Sequence, residues 1–422
     1  MEYAKTTLPN GVRVVTSRME HVRSASLILS FAVGSRHEPD EQAGISHFLE
    51  HMLFKGTEHR PDPVQITEAI EGVGGMLNAS TGRESTSYWV KVPSAYLPLA
   101  FEVLADMVRH SLFAPEELEK ERRVIVEEIH GIHDAPDDYI HEVIDQAVWD
   151  GQPLGRPIIG SLETVQCTTR DDLITYLHEH YRANRLVIAA AGNLWHEQVV
   201  ALADRYFGDL PAGPAVSLAS ARIRDDLPDI VLVSRPTEQA HLCIGLPALP
   251  YTDERRFTQG MIEAVLSSGM SSRLFKEIRE RQGLAYEVYG YFREYADVGE
   301  AVVYAGTDIE QVSRTVEALL SELDKLTREP VPPDELERTK ELRKGRIVMG
   351  LEDSRAVASW IGVQELVYGE ILTPEEVIAR IQAVTSEEIQ ALARELFQVQ
   401  RYALALLGPF DDPEPFRRLL AR

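Results

Sequence analysis

His47-Phe48-Leu49-Glu50-His51 sets two imidazoles four residues apart with a carboxylate between them. On a helix, positions i and i+4 lie one turn apart on a single face. In that arrangement a helix can offer two nitrogen ligands to zinc and hold a base beside the water that the ion binds. The order of residues reverses the commoner His-Glu-x-x-His spacing. A zinc site that keeps one position open for water needs a third protein ligand from elsewhere in the chain.

The surrounding residues predict the helix. Ile45, Phe48, Leu49, Met52 and Leu53 recur at three- and four-residue steps, so one flank is apolar and buried, with Gly44 and Gly56 marking its ends. The segment Ala114-Pro115-Glu116 through Ile129 is the best source of a third ligand. Pro115 suits a first helical turn, and the acidic residues after it suit the helix dipole. Leu118, Val124, Ile125 and Ile129 are expected to form its apolar seam. Glu121 and Glu128, two turns apart, share a face. Glu116, Glu117 and Glu119 read as a solvated surface, and Glu127, rotated by about 100° from Glu128, is a rival ligand.

Taken together, His47-x-x-Glu50-His51 followed by Glu121 and Glu128 resembles the pitrilysin family of zinc peptidases, the inverzincins that include mitochondrial processing peptidase. The resemblance implies that His47, His51 and Glu128 hold one zinc ion per chain and that Glu50 is the general base. It casts Glu121 as a supporting acid that orients a ligand or the substrate. Gly74-Gly75-Met76-Leu77-Asn78-Ala79-Ser80-Thr81 and Thr86-Ser87-Tyr88-Trp89-Val90 are similar to the family's active-site edge strand and hairpin. There Asn78 and Ala79 would hold a peptide as an added strand. Phe54-Lys55-Gly56-Thr57 fits the pattern after the metal helix. Downstream, Arg279 and Tyr286 look like the family's Arg–Tyr pair, two donors suited to a carbonyl that is gaining charge.

The chain also resembles itself. Pro115-Glu116-Glu117-Leu118-Glu119-Lys120 answers Pro333-Asp334-Glu335-Leu336-Glu337-Arg338, and the apolar run Leu186–Gly192 answers Tyr402–Gly408. The repeat places Thr339 opposite Glu121 and Arg346 opposite Glu128. A looser match puts Gly260 and Ala264 opposite the two histidines, so the second half carries no metal set. Alternating strands near 12–15, 27–33 and 87–92, with helices near 95–110, 115–132 and 308–327, predict an α+β fold. It would comprise two homologous α/β-sandwich domains, each a largely antiparallel sheet covered by helices. The expected division is residues 1–212 for the metal-bearing domain, 213–229 for a linker rich in Pro, Ala, Ser and Asp, and 230–422 for the second domain.

A net charge of −24 argues against nucleic acid and anionic membrane surfaces as partners. The two cysteines, Cys167 and Cys243, imply no disulfide framework and read as buried thiols. No apolar leader or membrane-length apolar span is evident, so a cytoplasmic enzyme is expected. These readings converge on a zinc-dependent endopeptidase acting on extended oligopeptides or unfolded, presequence-like segments, probed most directly by chelation. At this length the resemblance, to family members built as half-size subunits that pair, implies a homodimer, with a heterodimer of paralogous subunits as the other arrangement. The alternative function is a non-catalytic peptide-binding or scaffold subunit.

Overall fold

A computed structural model describes residues 1–214, 218–223 and 229–421. Part of the expected linker at 213–229 therefore lies outside the described residues. The chain divides into two compact units, one of Met1–His130, Pro157–Leu218 and Val348–Pro374, the other of Gly131–Arg156, Ala219–Ile347 and Glu375–Arg422.

The first unit is built on strands β1 (Ala4–Thr7), β2 (Arg13–Arg18), β3 (Ser24–Phe31), β4 (Met76–Thr81), β5 (Thr86–Pro93) and β6 (Leu186–Gly192). They lie in the order β1-β2-β6-β3-β5-β4, antiparallel except for the β2–β6 pair. The second unit holds β7 (Asp229–Ser234), β8 (Gln239–Ala248), β9 (Ala285–Glu294), β10 (Gly299–Asp308) and β11 (Ala403–Gly408). Their order is β7-β11-β8-β10-β9, again with one parallel pair, β7–β11. Order and direction match strand for strand once β1 is set aside. This is an α+β fold of two like sandwiches, and the repeat read between β6 and β11 is a repeat of position.

The interior strands β6 and β11 are apolar at every position and buried along their whole length. A strand buried on both faces needs cover on both, and each sheet receives part of its cover from the opposite half of the sequence. In the first unit the helix Leu97–His110 packs on β3 and β5. The other face is closed by the helix Ser354–Val367, whose Val357, Ala358 and Ile361 pack against Val15, Ile28, Val187 and Ala189. Each such aliphatic contributes about 1.5–3 kcal/mol when fully buried. Gly362 permits the approach, because a Cβ there would stand 2.7 Å from the Ala189 Cβ. In the second unit the reciprocal helix is Pro136–Trp149, with Ile140, Ile144, Val148 and Trp149 packed on Cys243, Val302, Ala405 and Leu407. Neither unit is contiguous in sequence.

Two sequence expectations need correction. Val124 is 48% exposed and lies outside the seam of its helix, which runs Leu118, Glu121, Ile125, Ile129. Glu121 takes the seam place expected of Val124, which sits about 100° around the helix from Ile125. Cys167 is exposed, since only Val165 of the short helix Leu162–Cys167 is buried; Cys243 is buried. Among the described residues no helix is long and apolar enough to cross a membrane.

Candidate metal centre

The histidine motif lies on the helix Ile45–Leu53, with Ile45, Phe48, Leu49, Met52 and Leu53 all fully buried. Its start is held from both sides. Gly44 has φ of 93°, and a Cβ there would meet the Ile159 carbonyl oxygen at 2.5 Å, so the position demands glycine. The buried Glu38 carboxylate accepts the N–H groups of Gly44 at 2.7 Å and Ser46 at 2.8 Å. A carboxylate here satisfies backbone donors that a helix start leaves unpaired and lies at the favourable end of the dipole. Ser46 and Tyr176 hydroxyls meet at 2.8 Å behind it. The rotation of the helix about its axis, and hence the aim of both histidines, is set by these contacts.

His47, His51 and Glu128 come together, with one ligand atom from each inside a 4.8 Å span. The two Nε2 atoms face the same Glu128 oxygen at 3.9 and 3.8 Å. These spacings are too long for hydrogen bonds. They are close to the edge of a tetrahedron with bonds of about 2.0–2.1 Å, roughly 3.3 Å. Burial, and secondarily the neighbouring His51, lowers the His47 pKa to about 4, which keeps that imidazole neutral and able to ligate. Among the described residues its buried Nδ1 has no hydrogen-bond partner, whereas His51 Nδ1 meets Glu121 Oε2 at 3.0 Å. Glu121 is buried and also pairs with Lys55 Nζ at 2.7 Å. Its carboxyl is held below its ordinary range: burial opposes ionisation, but the hydrogen bonds from His51 and Lys55 prevail. Two imidazole nitrogens and one carboxylate, with His51 oriented by the second carboxylate of Glu121, make a donor set that fits zinc.

Glu50 sits on the same helix, and the Thr81 hydroxyl donates to its Oε2. Burial raises its pKa, while Thr81 and His51 draw it back down. Thr81 ends β4, and no strand pairs with the outer edge of β4 among the described residues. Asn78 and Ala79 are on this edge strand, and the Ala79 N–H is taken by Asn78 Oδ1 at 2.8 Å. A strand arriving here must displace that side chain.

The second unit brings Arg279 and Tyr286 together, the guanidinium carbon 4.4 Å from the ring centroid, with Tyr286 76% exposed. Arg279 lies on the π-helical segment Phe275–Arg281 and Tyr286 on β9. The counterpart of the metal helix is Arg256–Ser267, where the Gly260 carbonyl accepts from Arg343 Nη1 at 2.7 Å. Thr339 is buried and Arg346 approaches Gly269, so arginines crowd this place where the first unit has its ligands.

Sequence reasoning did not single out Glu38, Thr81 or Lys55. Lys55 and Thr81 fall inside segments quoted for their pattern, but no local signal marks Glu38, which caps across a turn from outside the helix.

A reversed histidine pair, a glutamate two turns past its partner acid and a duplicated sandwich define an inverted zinc-peptidase architecture. The chain belongs to peptidase family M16, the pitrilysin family, among its half-size bacterial members. Residues 13–162 match the model described as insulinase (peptidase family M16), and residues 168–343 match the one described as peptidase M16 inactive domain. It is 39% identical to an uncharacterized zinc protease of Streptomyces coelicolor over 98% of this chain and 91% of that one. Against the uncharacterized zinc protease YmxG of Bacillus subtilis it is also 39% identical, over 96% and 97%. The crystal structure of a protease from Helicobacter pylori superposes with a TM-score of 0.89 at 21% identity, over 97% of this chain and 100% of that chain. A peptidase M16 inactive domain from Pseudomonas fluorescens gives 0.91 at 19%, over 97% and 99%. At those identities the structures speak for the fold.

Glu121→Gln is expected to weaken zinc affinity roughly 10–100-fold, the usual cost of losing an outer partner of a ligating histidine. Competition against a chromophoric chelator measures it. An unaltered affinity would remove Glu121 from the metal's support.

Proposed function

We propose that the chain is a zinc-dependent endopeptidase that cleaves extended oligopeptides or unfolded, presequence-like segments, with one zinc per chain. The observation that carries this reading is the convergence of His47, His51 and Glu128, with Glu50 beside them. Zinc bound by those three would act as a Lewis acid and bring the pKa of a water in its open position toward about 7. Glu50, tethered by Thr81 but short of full burial, takes the proton from the attacking water and delivers it to the leaving amine. Asn78 and Ala79 receive the peptide backbone along the free edge of β4, which restricts substrates to chains that can lie extended. To Arg279 and Tyr286 we assign hydrogen bonds to substrate, including the carbonyl oxygen as it gains charge. An intact ligand set with a supported histidine weighs against the non-catalytic scaffold alternative, which has no use for an oriented Glu50.

Treatment with a strong chelator is expected to abolish cleavage of a quenched fluorescent peptide, and one equivalent of zinc to restore it. Cleavage that survives complete zinc removal would sink the reading. Light scattering on the same sample should give twice the chain mass if, as we propose, the enzyme is a cytoplasmic homodimer; the monomer mass would reject the dimer alone.

A further inference from the structure

The sheet of the first unit extends past the helix that covers it. Ser354–Val367 packs over β2, β6 and β3, leaving one face of β5 and β4 beside its flank. Between them lies a groove of about 450 Å³, lined by Ser80, Ser87, Trp89, Arg355, Ser359 and Val363 among others. Directly opposed residues of an antiparallel pair share a face. The register pairs Asn78 with Trp89 and Ser80 with Ser87, so Asn78 and Ser80 belong to the groove face. Ala79 and Thr81 belong to the other face, where Thr81 reaches Glu50. A peptide added along β4 alternates in the same way. When one side chain turns toward the Glu50 face, its two neighbours turn toward the groove.

The groove has a definite chemistry. The guanidinium carbon of the exposed Arg355 stands 4.5 Å from the centroid of Trp89. Among the described residues it pairs with no carboxylate. Asp353, which caps its helix, is engaged by Lys91 and by the backbone N–H of Arg355 at 2.8 Å. Arg355 is thus a cation held over the groove by the Trp89 ring, in a chain of net charge −24. Ser80, Ser87 and Ser359 line the same groove, with the Ser87 hydroxyl meeting that of Ser30 at 3.0 Å.

Resting on the reading of β4 as the peptide-binding edge, we propose that this groove is a side-chain subsite that selects aspartate or glutamate in the substrate, with Arg355 as the residue that sets the preference. Its partner is thus an acidic residue of an extended peptide, at positions of one parity relative to the side chain facing Glu50. A carboxylate entering the groove gains a charge-assisted hydrogen bond that glutamine matches only in part and lysine reverses.

A panel of quenched fluorescent peptides, identical except for one walked position bearing Glu, Gln or Lys, tests this. The Glu-to-Lys ratio of kcat/KM is expected to be at least about tenfold at one or two positions of the same parity. Arg355→Glu should invert that ratio and Arg355→Gln bring it near one; being a ratio within one enzyme, it is insensitive to loss of folded protein. A ratio that both variants leave unchanged at every position overturns the proposal, as does a preference at adjacent positions. N-methylation of successive peptide nitrogens separates this from the edge-strand reading. If methylation is tolerated everywhere yet Arg355→Glu inverts the ratio, edge addition fails and with it the parity argument. If methylation blocks cleavage at alternate positions and the ratio ignores Arg355, the groove assignment fails alone.

Discussion

Glu50→Gln is expected to lower kcat by roughly 1,000-fold, within the 10²–10⁴ range for removal of a general base, with zinc content unchanged. The amide keeps the volume and can still meet the Thr81 hydroxyl, so helix and hairpin should stay in place. What it cannot do is accept a proton. The His47, His51 and Glu128 donors are untouched, which is why metal analysis of the purified variant belongs with the kinetics. Retained zinc with lost turnover separates a base from a ligand. Retained turnover would assign the proton to another group, and lost zinc would make Glu50 part of the metal's hold.

Glu128→Ala should weaken zinc binding by more than about 100-fold and abolish turnover at limiting metal, since even outer partners of ligands cost 10–100-fold. Glu128 is 45% exposed at the side chain, so its truncation leaves no buried cavity. Thermal stability of the metal-free variant should lie within about 0.5 kcal/mol of the metal-free native chain. Glu127→Ala is the internal control. It lies one residue away, exposed, and outside the trio that converges. Isothermal titration of both variants with zinc is the measurement. Equal losses for the two would show that general acidity of the helix, not a ligand, holds the ion.

How much of this was legible in the sequence depended on the distance over which each contact acts. The helix carrying His47, Glu50 and His51 followed from an apolar period of three and four, and all five of its expected core residues are buried. The duplication was legible because it is a pattern repeated along one line, and the two sheets repeat strand order as well as residues. The choice between Glu127 and Glu128 was not available from periodicity. It came from family spacing, and the fold brings Glu128 to the histidines. Val124 was misread because an apolar residue next to the seam looks like part of it, when the buried acid Glu121 holds that place for His51 and Lys55.

The amino-acid order alone determined which side chains could do the chemistry and which local elements present them, because ligand type and helical period are properties of neighbours in the chain. Tertiary structure decided what aims and completes them: Glu38 at the start of the metal helix, Thr81 on Glu50, and a helix from residues 354–367 covering a sheet built before residue 193. Each joins segments separated in sequence but not in space, and a strand buried on both faces announces that it needs such cover without naming which segment supplies it.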